Sequence, residues 1–237
     1  MNMLLFILAC VVSFIPTLAL FFWLRNCRKA DIAYRKLCVD ALVKGMLSVF
    51  LIVLLSGASY FLIRLTRLQN VNPLLYEMIY NFIVLALVEE AVKGLAFQRA
   101  LKKTDYACSW QDVVVLMTIV HIGFELIESL IYTIGTSIPI VLVRGICIPH
   151  AGYGFIVGYF CGKGMKEGKA YKKWIGFVLS WLIHGLYDFS LSEAFIAIND
   201  NLVFVAIALA LLDILLVINL IVFVRRTKRA GIYRIQP

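Results

Sequence analysis

The chain has 237 residues, of which 62% are hydrophobic and 16% are charged, and its mean hydropathy is +0.92. Soluble globular proteins carry about 25% charged residues, so this composition excludes that class and indicates an integral membrane protein. The net charge of +9 is not gathered with stacking aromatic residues on a soluble module, and we therefore expect no nucleic-acid partner.

Seven apolar segments are long enough to cross a lipid bilayer as helices, which takes about 20 residues each. They lie near residues 3–24, 41–63, 74–97, 112–134, 138–161, 174–191 and 201–224. No basic region precedes the first segment and no A-x-A-like site follows it, so we expect a retained span rather than a cleaved signal peptide. The sequence predicts an all-α fold: a polytopic membrane helix bundle of about seven transmembrane helices, forming one domain over residues 1–237.

Basic residues predict the orientation of this bundle. They are concentrated after the first, third, fifth and seventh segments, as Lys102 and Arg226 illustrate, whereas the other connections hold only Arg64 and Arg67. Lys and Arg in short loops are retained on the cytoplasmic side. We therefore expect the N-terminus outside and the C-terminus inside.

The third segment carries charged residues in the middle of an apolar run, NFIVLALVEEAVKGLAFQ (81–98). A charge at the centre of a bilayer costs about 3 kcal/mol or more, and such residues usually face a bundle interior or a water-filled cavity. Glu89 and Lys93 have the i, i+4 spacing of an ion pair on one helix face. We expect Lys93 to keep one carboxylate of the Glu89 and Glu90 pair ionised.

Histidine and acidic residues also recur at helical spacing in the fourth and sixth segments. In HIGFELIESLIY, the residues His121, Glu125 and Glu128 fall on one helical stripe. In WLIHGLYDFSL, His184 precedes Asp188 by one turn. The carboxylate of Asp188 is therefore placed to orient the imidazole or to share an oxyanion-binding role with it.

The fifth segment puts a histidine in line with glycines. His150 is followed at strict four-residue spacing by Gly154, Gly158 and Gly162. Small residues on one stripe let membrane helices approach closely, so we expect His150 to lie at a tight helix contact. Pro149 removes a backbone hydrogen bond and predicts a kink beside the histidine.

Depth along the helices predicts that these groups converge. Counted at about 1.5 Å per residue from the cytoplasmic ends, Glu89, His150 and His184 come out near one depth, and Glu128 lies about one helical turn further out. A single membrane histidine can be structural and contribute only about 0.6 kcal/mol. Asp213 in the last segment is interpreted as a packing group or a proton-path group, and packing is slightly favoured. The joint pattern on four successive segments favours a functional site.

Four motifs in these segments resemble the signatures of a known family. The stretches EEAVK, FELIE, HAGYG and HGLYD are similar to the E-E-x-x-K, F-x-x-x-E, H-x-x-x-G and H-x-x-x-D signatures of the PrsW family, over roughly residues 74–191. That family belongs with the CAAX-type intramembrane proteases and their bacteriocin-processing relatives. Prenyl-protein CAAX proteases have a histidine where this chain has Glu128 and an asparagine where it has Asp188, so the resemblance favours PrsW.

The resemblance implies an intramembrane protease of the bacterial plasma membrane. Its substrate would be a membrane-anchored protein, of which an anti-sigma factor cut in a stress response is the expected example. The expected catalytic residues are Glu89, Glu90, Glu128, His150 and His184, and the expected supporting residues are Lys93, Phe124 and Asp188. His121 and Glu125 lie outside the family signatures and are interpreted as groups that support the site.

The interpretation that we favour from the sequence is a glutamate-type endopeptidase that requires no cofactor. A carboxylate of Glu89 or Glu90, assisted by Glu128 or His150, would activate a water as general base. His184 with its neighbouring carboxylate would polarise the scissile carbonyl and stabilise the oxyanion.

Three alternatives stay open. In a zinc-dependent protease, Glu128, His150 and His184 would hold Zn²⁺ with an open fourth position, while Glu89 or Glu90 served as base, although the sequence has no H-E-x-x-H motif. A proton-coupled transporter would also bury acids and histidines but is expected to have broken helices in repeated halves, which the sequence lacks. A non-catalytic interaction protein is disfavoured because every motif residue is intact.

Overall fold

The computed structural model describes residues 3–28, 31–102, 108–135 and 145–230, and every regular element in these ranges is helical. The main helices are α1 (Met3–Arg25), α2 (Ile32–Leu65), α3 (Pro73–Ile79), α4 (Val88–Lys102), α5 (Trp110–Gly135), α6 (Pro149–Glu167), α7 (Lys172–Ser190) and α8 (Val203–Arg229). A π-helical segment, Tyr80–Leu87, joins α3 to α4 without a break. The predicted all-α class is confirmed for these residues.

Several helix ends follow from local sequence signals. Asp31 caps the start of α2, where its side chain accepts a hydrogen bond from the backbone N–H of Tyr34 at 2.9 Å. Asn72 caps α3 in the same way, and Pro73 occupies the first helical position, where no backbone donor is needed. Gly168 ends α6 in the left-handed region, with φ of +66°.

Three of the described helices are long and apolar enough to cross a membrane on their own. They are Ile32–Leu65, Trp110–Thr133 within α5, and Val203–Arg229. These helices support the membrane character that the composition predicts, whereas the count of seven spans and the orientation of the termini stay predictions.

The predicted kink at Pro149 is a helix start. Ile148, directly before it, has a left-handed backbone with φ of +47°, which separates α6 from the helical turn at 145–147. The first part of the predicted fifth span, 138–144, lies outside the described residues. His150 therefore stands in the first turn of α6, where backbone N–H groups need partners from outside the helix.

Helix α5 is the centre of the bundle and is buried over most of its length. Glycines bring its neighbours into backbone contact on two sides. A Cβ on Gly45 of α2 would lie 2.0 Å from the carbonyl oxygen of Val120, and one on Gly158 of α6 would lie 2.8 Å from that of Val114. The close contact predicted for the glycine stripe of α6 is thus confirmed, and its partner is α5. These two contacts hold α2 and α6 close against α5.

Candidate active site

The π-helical segment immediately precedes the two glutamates of α4. Side chains from two other helices hold its backbone carbonyls: Trp181 donates to the carbonyl of Phe82 at 2.6 Å, and Ser56 donates to that of Val84 at 2.9 Å. A π-helix bonds residue i to i+5, has more residues per turn than an α-helix, and is frequently found at functional sites. The segment therefore sets the face of α4 from which Glu89 and Glu90 project.

Lys93 is fully buried and lies at the centre of the polar cluster. Its Nζ donates to Glu89 Oε2 at 3.1 Å and to Glu90 Oε1 at 3.0 Å, and it lies 3.0 Å from His150 Nδ1. The ammonium also sits 4.0 Å from the centre of the Phe124 ring, a cation–π contact. The predicted ion pair with Glu89 is confirmed, and the same lysine joins both glutamates to the next histidine.

Both carboxylate oxygens of Glu90 have hydrogen-bond partners. Oε1 faces Lys93 and His184 Nδ1, the latter at 3.1 Å, while Oε2 accepts from Ser180 Oγ at 2.7 Å and faces His121 Nε2 at 3.1 Å. Buried carboxylates are stable when such donors satisfy their lone pairs. His121, absent from the family signatures, therefore contacts the cluster through Glu90.

His184 lies between carboxylates. Its Nδ1 faces Glu90, and its Nε2 lies 3.2 Å from Asp188 Oδ2 and 3.7 Å from Glu89 Oε2. Both ring nitrogens can donate at once only when the imidazole carries two protons. The orienting contact predicted between His184 and Asp188 is present.

His150 is held on both ring nitrogens and at its backbone. Because Nδ1 faces the ammonium of Lys93, it acts as an acceptor, and Nε2 then donates to Glu128 Oε2 at 2.6 Å. The backbone N–H of His150 donates to Glu125 Oε2 at 3.2 Å. Glu125, the other residue outside the family signatures, thus satisfies a donor in the first turn of α6.

The two imidazoles lie close together, with ring centroids 5.0 Å apart. The ring of Tyr153 stacks on His184 at 4.9 Å with an interplanar angle of 23°, and it meets His150 edge-on at 5.5 Å. Phe124 meets His150 edge-on from the other side at 4.8 Å. The aromatic rings therefore fix the planes of both imidazoles, a role that the sequence interpretation gave to no residue.

A cavity of about 350 Å³ opens onto the cluster. Its polar wall is formed by Glu89, Glu128 and Asp188, and the rest of its lining is mostly apolar, including Val53 of α2 and Ile131 of α5. Glu90 does not line it. The two neighbouring glutamates are therefore distinct: Glu89 faces the cavity, and Glu90 is enclosed by protein.

Comparison with known proteins agrees with this arrangement. A sequence model described as PrsW family intramembrane metalloprotease matches residues 34–218. Protease PrsW of Clostridioides difficile is 30% identical over 191 residues, which cover 76% of this chain and 78% of that protein. The chain belongs to the PrsW family.

Other PrsW proteins match over a shorter region. Protease PrsW of Oceanobacillus iheyensis is 32% identical over 123 residues, and that of Bacillus subtilis is 30% identical over 118 residues. These alignments cover 49% and 47% of this chain and 57% and 54% of the relatives. No solved structure matches the chain.

The donors of the cluster fit the metal ion that the family description implies. Ligand atoms of Glu89, His150 and His184 all lie within 4.8 Å of one another, and all three residues are buried. Two histidines and a glutamate are a ligand set of catalytic zinc sites. Glu128, expected from the sequence to complete the zinc-binding alternative, instead groups with Glu125 and His150.

The Lys93 contacts generate a first prediction. Replacing Lys93 by Met leaves Glu89 and Glu90 buried without their cation, and breaking a buried ion pair in this way costs about 3–5 kcal/mol. We expect the Lys93→Met variant to lose this much unfolding free energy in a denaturant titration of the detergent-solubilised protein.

The matched control is Lys44→Met on α2. Lys44 is also paired with an acid one turn away, Asp40, whose side chain is 44% exposed, so the loss should stay below about 1 kcal/mol. Equal stability of the two variants would contradict the central role of Lys93.

Proposed function

We propose that this PrsW-family protein is a metal-dependent endopeptidase that cuts a membrane-anchored protein within or beside the bilayer. The observation that carries the proposal is the buried group of Glu89, His150 and His184 at the wall of a cavity that also exposes Glu128 and Asp188. This group combines metal ligands, further carboxylates at the cavity wall and space for a peptide in one place.

The charge of the cluster supports a cation. Among the described residues, the cluster holds one ammonium, that of Lys93, which contacts two carboxylates, and five carboxyl groups in all, those of Glu89, Glu90, Glu125, Glu128 and Asp188. Uncompensated carboxylates are costly inside a membrane protein. A divalent cation or protonated histidines would balance them, and the donor types suit Zn²⁺.

Each residue has a distinct proposed role. Glu89, His150 and His184 would hold the ion, which when bound supplies Lewis-acid activation of a carbonyl and of water. Glu90 would orient His184 as such a ligand through Nδ1, and coordination through Nε2 would replace the contact of that nitrogen with Asp188 at 3.2 Å. Both nitrogens of His150 have partners. Coordination through Nε2 would replace its hydrogen bond to Glu128 and would require the ring proton to sit on Nδ1, so that Lys93 would then donate to Glu89 and Glu90 alone.

Glu128 is the proposed general base. Once released from His150 Nε2, its Oε2 stands at the cavity wall, where it takes a proton from the attacking water and returns it to the leaving amide nitrogen. Glu90 fixes His184 through Nδ1, Lys93 fixes Glu90, and Asp188 stays beside His184 at the cavity wall. This assignment moves the base from the Glu89 and Glu90 pair, where the sequence interpretation placed it, to the carboxylate that is not enclosed.

The cavity supports a substrate that arrives from the membrane. Val53 is 57% exposed and Ile131 is 50% exposed, so the apolar side of the cavity is continuous with surface that a bilayer would cover. A membrane-anchored substrate can place its backbone against Glu89 and Glu128 through this opening. We propose a single-span protein of the anti-sigma-factor kind, in agreement with the family resemblance.

The metal assignment gives a second prediction, which separates the three buried histidines. His150→Ala and His184→Ala should lower the bound metal of the purified protein and reduce cleavage of a single-span substrate by a factor on the order of a hundred or more. His121→Ala should keep its metal, because His121 contacts the cluster only through Glu90, and should instead lose about 2 kcal/mol of stability.

Elemental analysis of the purified variants and cleavage with and without chelator are the measurements. Full activity without metal would overturn the metal assignment and return the cofactor-free glutamate mechanism, with Glu89 as base. Equal metal loss in all three variants would mean that the ligand set is wrong.

The third prediction compares Glu128, which lines the cavity, with Glu90, which does not. Glu128→Gln should fold, retain its metal and lose turnover by about 10²–10⁴-fold, the range for loss of a general base. Glu90→Gln keeps the size of the side chain but turns an acceptor oxygen into a donor opposite Lys93, so it should lower the unfolding temperature. A Glu128→Gln variant that cuts at the wild-type rate would exclude Glu128 as base.

We further propose that the protein is a multi-pass protein of the bacterial plasma membrane, with seven spans, the N-terminus outside and the C-terminus in the cytoplasm. The distribution of Lys and Arg between alternate connections supports this orientation. A fourth prediction follows: protease added to intact spheroplasts should remove an N-terminal tag and leave a C-terminal tag. Removal of the C-terminal tag would reverse the orientation.

A further inference from the structure

Asp213 is an ionisable residue that the proposed mechanism does not use. It lies in the middle of α8, the most apolar of the three candidate membrane spans, and it is completely buried. A carboxyl group is costly in such a position and usually marks a functional contact. Its Oδ1 has no hydrogen-bond partner among the described residues, so simple packing does not account for it.

The polar contact of Asp213 leads directly to the candidate active site. Tyr153 donates from its hydroxyl to Asp213 Oδ2 at 3.4 Å. The ring of this tyrosine stacks on His184 and meets His150 edge-on. Asp213 therefore contacts the one described residue whose ring touches both imidazoles.

The packing of α8 on α6 brings this pair together. Gly152, next to Tyr153, lets α8 approach closely: a Cβ there would lie 3.0 Å from Leu216 Cβ and 3.6 Å from the carbonyl oxygen of Asp213. Tyr153 itself is fully buried, so its ring has little freedom once its hydroxyl is held. The position of α8 thus determines the plane of the tyrosine ring.

We propose that Asp213 is a positioning residue, which acts through the Tyr153 hydroxyl to fix the planes of His150 and His184. Removing the carboxylate breaks this hydrogen bond, so the stacked ring holds the imidazoles less firmly. Partners that orient ligand or catalytic histidines typically change activity by about 10–100-fold when they are removed. The inference rests on the proposed function of the two histidines, and it makes α8 part of the catalytic machinery.

The test compares full-length variants in one detergent preparation. Asp213→Ala and Tyr153→Phe should each reduce kcat for a single-span substrate about tenfold with little change in KM. Their effects should not add in the double variant, because both break the same contact. Asp213→Asn retains an acceptor oxygen for the tyrosine and should recover most of the activity.

The matched control is Asn219→Ala on the same helix. Asn219 is exposed, and its side chain donates to the carbonyl of Leu215 at 2.8 Å within α8, so this variant should cleave at the wild-type rate. The ring ¹⁵N chemical shifts of the histidines, measured in selectively labelled protein, report on the imidazoles directly and distinguish positioning from a loss of stability. They should change in Asp213→Ala and Tyr153→Phe but not in Asn219→Ala.

The outcomes separate this inference from the proposed function. Shifted histidine signals in a protein that cuts no substrate would keep the positioning role and reject the protease assignment. Wild-type kcat and unshifted signals in Asp213→Ala would overturn the inference, as would additive losses in the double variant. If Asp213→Ala does not fold, Tyr153→Phe alone decides, since it removes the hydroxyl and keeps the ring.

Discussion

The structure depends on the burial of a single ammonium group. Lys93 is completely enclosed, and its Nζ touches both glutamates of α4 and Nδ1 of His150 on α6. Desolvating a lysine is tolerable only when acceptors surround it, so α4 and α6 must approach closely enough to supply them. The same constraint explains why two adjacent glutamates can both be buried: the lysine lies between them and the first histidine. The contacts that stabilise the buried lysine therefore also hold the two imidazoles with their ring centroids 5.0 Å apart.

The two adjacent glutamates show how one short motif supplies two kinds of group. Neighbouring residues on a helix point about 100° apart, and this difference puts Glu89 at the cavity wall and Glu90 inside the protein. The inner carboxylate organises donors from α4, α5 and α7. The outer one remains near His184 and faces the cavity. Preorganised groups of this kind cost little reorganisation during a reaction, which is why an enclosed acid can matter for chemistry without touching a substrate.

Much of this arrangement could be predicted from the sequence because charges in apolar segments are conspicuous. The i, i+4 spacing was sufficient to pair Glu89 with Lys93, and the glycine stripe of α6 was sufficient to predict a close helix contact. Pro149 predicts a kink from the sequence, whereas the structure has a helix start there. A proline is compatible with either, and only the left-handed backbone of Ile148 distinguishes them. The contacts of His121 and Glu125 depend on distances between helices, and the role of Tyr153 depends on the plane of its ring. The spacing of residues along one helix contains neither the distances between helices nor the planes of rings. It does not predict the π-helical segment either.

That segment has a consequence for how such a site can arise or be lost. A π-helical stretch is an α-helix that has accommodated extra residues without breaking, so Tyr80–Leu87 records a difference in chain length as well as in shape. Because a π-helical turn holds more residues than an α-helical turn, removing one residue there would tighten the turn and leave Glu89 and Glu90 facing much as before. The same deletion in the α-helix between Glu90 and Lys93 would turn the lysine by about 100° away from both carboxylates. The apolar stretch ahead of the motif can therefore change in length where the motif itself cannot.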